Sequence, residues 1–208
     1  MKGIINFRTP SLGKLLPCWL LLVLSVAHAA AGQSPAASAA DPETAQRRIM
    51  RARALAAAGN LPAARSELES LRAASAADES VREITLVLLM GIYFEQSDYT
   101  YAENLLNEAF RARSAGNEAA ARGYFLLAGQ VLGGVRSQLD RYREFGLDTG
   151  DATLPDEATS HLDRLRKLVE HVVTQGRALR DENARSIDAA ALLENASSAR
   201  VLLARSDT

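Results

Sequence analysis

The residues of this chain able to do chemistry are few. His161 and His171 are ten positions apart. On one helix they share a side but stand about 15 Å apart along the axis, too far to hold one metal ion. Neither has a Cys or a clustered carboxylate at ligand spacing, so both read as surface histidines. Cys18 is the only cysteine, and it falls in a hydrophobic leader. Pro17 precedes it where a lipid anchor would need a small residue. Asp148, Asp151 and Glu157 bracket a loop containing Gly146 and Gly150, but their spacing is not that of a helix-loop-helix calcium site. Nucleophilic or acid-base catalysis needs a nucleophile beside a base, and phosphate binding a glycine-rich loop. The sequence offers neither. The expectation is a protein with no catalytic residue, no metal and no cofactor. Asn195-Ala196-Ser197 fits a glycosylation acceptor, but in mid-helix.

Charge narrows the partners. The chain has 24 Lys and Arg against 25 Asp and Glu. Lys2, Arg8 and Lys14 form a positive start, Leu15 to Val26 an apolar run, and Ala27 to Ala31 a small-residue cleavage region. This is the pattern of a secretory signal peptide, residues 1–31, cut after Ala29 or Ala31. The apolar run is shorter than the roughly 20 residues of a membrane span. Its removal leaves 21 basic and 25 acidic residues, a net charge of −4. That gives no electrostatic footprint for nucleic acid and no remaining membrane span. The expected location is exported, periplasmic or extracellular. Without the leader no Cys remains, so the fold must rest on its core instead of on disulfides. Arg47, Arg48, Arg51 and Arg53 form a basic cluster, mostly a solvated face, with Arg53 the one placed to turn inward.

The elements that position these groups read as helices throughout. Residues 32–40 are a small-residue linker. Asp41-Pro42-Glu43 is a helix start, with an N-cap acid and Pro in the first turn. Gly59-Asn60 stops that helix and Pro62 restarts the next. Asp78 or Ser80 starts a third, Ser80 and Glu83 being spaced as a capping box. From Ile84 to Phe94 that helix is apolar almost all round, as a helix covered on several sides would be. Ser97-Asp98 breaks it, and the fourth helix runs to Gly116-Asn117. A fifth starts near Glu118 and, with no Pro between Pro62 and Pro155, can run as one long helix to Phe145, with Gly133-Gly134 the expected break or kink inside it. Residues 146–154 are a loop. Thr153 and Asp156 flank Pro155 as the next start. Leu162, Leu165, Val169, Val172, Gly176 and Leu179 alternate in steps of three and four, the seam of a helical hairpin. Residues 155–208 are then a hairpin folding back near Asp181 to Asn183, or one continuous helix. The nine aromatic residues beyond the leader, Tyr93 to Phe145, mark the best-packed section.

Two stretches say nearly the same thing 38 residues apart. Ala54 to Ala64 and Gly91 to Ala102 each read apolar helix, tight turn, helix restart, with Ala64 and Ala102 equivalent. One such unit cannot bury its own apolar face and must stack on a neighbour.

Ala52, Leu55, Gly59-Asn60-Leu61 and Ala64, and then Tyr93, Ser97-Asp98-Tyr99 and Ala102, resemble a degenerate tetratricopeptide repeat over about residues 45–145. Met90 departs from the pattern at a small position. A third unit fits in its first helix, through Tyr124, Leu127, Ala128 and Val131, whereas Asp140 stands where its second helix should carry Ala. The period of 38 exceeds the family's 34 by about one helical turn. The resemblance implies an all-α fold, a short right-handed α-solenoid of antiparallel helix pairs (41–145), closed by a C-terminal helical hairpin. It also implies a concave groove lined by the first helix of each pair. The partner-binding groove residues carried over are Ile49, Arg53, Val87, Gly91, Phe94, Arg122, Phe125 and Gly129, with Gln46, Ile84 and Leu132 at further groove-facing positions. Gly91 and Gly129 hold the same repeat position, where a missing side chain lets a ligand backbone approach. The Lys and Asn of the family's carboxylate clamps are absent. The expected function is a non-catalytic module binding a peptide, a protein segment or another copy of itself. The alternative is a structural subunit of an envelope or secretion assembly, docking through its C-terminal helices. The C-terminal helices are themselves candidates to fill the groove.

Overall fold

A computed structural model describes residues 42–74, 78–113, 118–151 and 153–204. The expected leader and linker, Asp41 and the Gly116-Asn117 helix stop lie outside these residues. Within them the chain is seven helices with turns between. They are α1 (Pro42–Ala57), α2 (Leu61–Ala74), α3 (Glu79–Glu95), α4 (Tyr99–Arg113), α5 (Glu118–Glu144), α6 (Asp156–Glu182) and α7 (Ile187–Leu202).

The turns follow from their residues. Gly59 has φ of 77°, a left-handed conformation open to glycine at no steric cost. The Asn60 side chain then accepts the Ala63 N–H at 3.3 Å and starts α2. The equivalent turn after α3 uses Ser97 at φ 54°, a strained conformation for a residue with a Cβ. The α3 cap is Asp78, whose carboxylate accepts the N–H groups of Ser80 at 3.0 Å and Val81 at 3.2 Å. This replaces the Ser80–Glu83 box: the Asp78 carboxylate, two residues earlier, already satisfies those orphan donors, worth about 1 kcal/mol.

The helices stack in two rows. α1, α3, α5 and α7 pack successively in one row, and α2, α4 and α6 back them. The result is an all-α, solenoid-like stack of helix pairs. Ala64 and Ala102, the equivalent alanines, are both fully buried where the two helices of a pair meet. α3 touches α1, α2, α4 and α5, so its all-round apolar surface is covered on several sides. Along the backing row Arg65 lies over the Tyr101 ring at 3.9 Å and pairs with Asp98 at 3.1 Å.

Two expectations change. α5 takes the long form, one helix to Glu144, and does not break at Gly133-Gly134. Gly134 is there for a crossing: a Cβ on it would meet the Phe94 ring at 2.6 Å. The third pair therefore does not close near Asp140, which is exposed on α5. Its second helix is α6, reached only after the 146–154 loop, and both helices of this pair are 27 residues long. The residues of the α6 seam, Leu162 to Leu179, are all buried. The chain turns at Asn183 to Ser186, so the C-terminal segment is two helices, with α7 ending the first row.

Candidate functional site

The eight groove positions do not form one surface. Ile49 is 1% exposed and packs with Ala45, Leu71, Val81 and Leu88. Phe94 is 5% exposed, its ring against Gly134 and edge-on to Tyr99 at 5.4 Å. Both belong to the core. The cause is the same at each: neighbouring helices of the stack approach closely enough to enclose a residue that a single helix pair would leave at its rim. Phe125 is half-buried against Tyr124, their centroids 5.5 Å apart, and with Gly129 it lines a crevice against α7. There Arg136 donates to Asn195 Oδ1 at 3.1 Å, tying α5 to α7. The C-terminal helices thus cover this stretch of the expected groove. Arg122 is exposed on α5 and lines none of these spaces.

Arg53, Val87 and Gly91 do come together. They line an open cleft of about 420 Å³ between α1 and α3, floored by Ala52, Ala56, Leu61 and Leu88 and closed on the far side by Gln130 of α5. α1 supplies Ala52, Arg53 and Ala56 within little more than one turn, so the two alanines face in while the longer arginine reaches the rim. α3 supplies Val87, Gly91 and Glu95 at four-residue steps along one face. No atom lies within 4 Å of where a Gly91 Cβ would be, so the α3 backbone is bare to the cleft. A smaller space of about 110 Å³ continues toward α5 and shares Gly91, Glu95 and Gln130. Its inner end is Gln138, 7% exposed, one amide N–H donating to the Phe94 carbonyl at 3.5 Å.

The charges in the cleft are unequal. Glu95 accepts from Arg141 through both carboxylate oxygens at 2.9 Å. Arg53 has no ion-pair or hydrogen-bond partner among the described residues. The cleft therefore offers an apolar floor, a bare stretch of backbone and one uncompensated cation. Gln130, Glu95 and Gln138 were missed in the sequence because polar residues on a helix read as solvated. The one local signal was Glu95, four residues after Gly91 on the same face.

The two histidines are half-buried and hydrogen-bonded between helices, not free on the surface. His161 Nε2 lies 2.6 Å from the Tyr99 hydroxyl and Nδ1 2.9 Å from the Tyr142 hydroxyl, which donates to the Ala158 carbonyl at 3.4 Å. Burial, then Arg164, pushes the imidazole's pKa below its ordinary value, which favours the neutral ring. His171 Nε2 lies 2.5 Å from Asn107 Oδ1 and 2.9 Å from Gln175 Nε2. Both histidines tie α6 to α4. Among the described residues no cluster of His, Cys, Asp and Glu could hold a metal ion, and no helix is long and apolar enough to cross a membrane.

No protein-family model, curated protein or solved structure matches the chain.

Proposed function

We propose that the protein is an exported, non-catalytic interaction module, similar in organisation to a tetratricopeptide-repeat scaffold, that holds a protein or peptide segment in the α1–α3 cleft. The observation that carries this reading is the cleft itself. It is an open apolar concavity beside the unpaired Arg53, at the bare α3 backbone of Gly91. Concave, mostly apolar surfaces with a few convergent polar groups are the usual binding sites of proteins. The test is a photo-crosslinking residue placed at Val87 in the cell of origin, with Arg111, on the outer face of α4, as control. A discrete adduct from Val87 and none from Arg111 supports the reading. Equal labelling from both positions overturns it. Mass spectrometry of the exported protein tests the location: a chain starting near Ala30 or Gly32 supports export, and a chain retaining Trp19 argues for an anchored protein.

A second reading has its own observation. Ile187 is 83% exposed and Val201 73% on the outward side of α7, the end of the first row. Solenoid ends are normally polar. An apolar end is what a structural subunit docking through its C-terminal helices would present.

A further inference from the structure

The cleft and the smaller space beside it form one path across α3, because Gly91, Glu95 and Gln130 line both. Its two ends differ in chemistry. At the α1 end stands Arg53, exposed and unpaired among the described residues. At the α5 end stands Gln138, more than nine-tenths buried, lining the space with an amide oxygen that has no partner among the described residues. Its one hydrogen bond is a donation at 3.5 Å, at the long limit for such contacts. That oxygen is open to the space and not sealed in the core, so solvent can meet it in the free protein and a ligand's N–H can take the same place. Gln130, between the two ends, is exposed and makes no hydrogen bond among the described residues, so its amide is free to meet a ligand. Gly91 adds room for a ligand's own backbone to come close.

These groups specify a ligand. Carboxamides recognise main-chain N–H and C=O groups. Those groups are free in an extended segment and consumed internally in a helix. The charge along the path selects further. Glu95 is neutralised by Arg141, which leaves Arg53 as the one uncompensated charge. From this we infer that the path takes an acidic peptide segment in extended form. A carboxylate of the peptide meets Arg53, an apolar side chain enters over Val87 and Leu61, and the main chain crosses Gly91 to reach Gln130 and Gln138. This rests on the reading of the cleft as the working surface.

The experiment is selection of a phage-displayed library of random peptides on the immobilised exported protein. The selected sequences are then synthesised with a fluorescent label, and affinity is measured by anisotropy at low and high salt. The expected result is enrichment of peptides with Asp or Glu beside a branched apolar residue. Arg53→Glu should weaken them about five-fold or more, and the loss should shrink as salt rises. Gln138→Leu, checked for an unchanged melting curve, should weaken them about two- to ten-fold, the range of one hydrogen bond. Gly91→Trp should abolish binding by blocking the path. If Gly91→Trp abolishes binding but Arg53→Glu does not weaken it, or if basic peptides are enriched, the acidic inference falls and the cleft survives. If peptides bind Gly91→Trp as well as the parent, or none is selected, both fall.

Discussion

Gly133 and Gly134 are neighbours in the middle of α5, and the stack predicts opposite effects for adding one methyl group to each. An alanine in place of an exposed helical glycine gains about 0.5–1 kcal/mol, because it reduces the freedom of the unfolded chain. At Gly133 no atom lies within 4 Å of the new Cβ, so this gain should appear undiminished. At Gly134 the new Cβ would lie 2.6 Å from Phe94 Cδ1, 2.7 Å from Cε1 and 2.8 Å from Cγ. The ring cannot withdraw freely, since Tyr99 stands edge-on to it at 5.4 Å and the residue is only 5% exposed. Overpacking of this kind costs about 1–3 kcal/mol. The intrinsic helix gain is common to both variants and cancels in the comparison. Gly134→Ala should therefore be less stable than Gly133→Ala by about 1–3 kcal/mol. For a domain of this size each kcal/mol moves the melting temperature by about 2–4 °C. Urea and thermal unfolding followed by circular dichroism measure it. If Gly134→Ala is as stable as Gly133→Ala, α3 and α5 do not cross at this point and the first row is wrongly built.

Three further outcomes follow from the same packing. Ala102→Leu should destabilise by about 1–3 kcal/mol, because Ala102 is fully buried in the α3–α4 pair; an unchanged melting temperature would remove the repeat register. Phe125→Ala should lower stability by less than the roughly 3–5 kcal/mol of a full core loss, since Phe125 is half-buried under α7; peptide binding with no stability change would return Phe125 to the groove. The third outcome concerns acid: the folded pKa of His161 lies below its ordinary value of about 6.5. The unfolded chain therefore takes up its proton first, and this contribution to stability is whole above pH 6.5 and declines as the pH falls below it. Urea midpoints from pH 8 to pH 5 should fall more steeply for the parent than for His161→Gln, and parallel slopes would contradict the buried neutral imidazole.

The sequence carries the helices and their pairing through local signals. Gly59-Asn60, Asp78 and Pro155 act within a turn of themselves, and the α6 seam repeats within one helix. Ala64 and Ala102 reveal the repeat because a close helix crossing tolerates only a small residue at either place. What local pattern cannot carry is the meeting of distant elements. Gly134 reads as a helix break until Phe94, forty residues earlier, is seen to occupy the space it leaves. His161 reads as a surface group because its partner Tyr99 lies 62 residues away. The groove is half legible for the same reason. α3 is apolar on nearly every side, so its periodicity does not distinguish Phe94, which α5 covers, from Val87 and Gly91, which open to the cleft. Gln138 looks like any polar helix residue, and only the packing of α5 against α3 makes it a buried amide at the end of a path.

The central claim is that the α1–α3 cleft is open in the free protein and occupied in the bound one. It can be read with a single thiol, since Cys18 is the chain's only cysteine and Cys18→Ser removes it. In that background Gly91→Cys and Phe94→Cys are compared for their rate of reaction with a small maleimide, alone and with the selected acidic peptide at saturation. The account predicts fast labelling at position 91, slow labelling at position 94, and protection of position 91 alone by the peptide. Slow labelling at position 91 in the free protein, or fast labelling there that the bound peptide leaves unchanged, would contradict it.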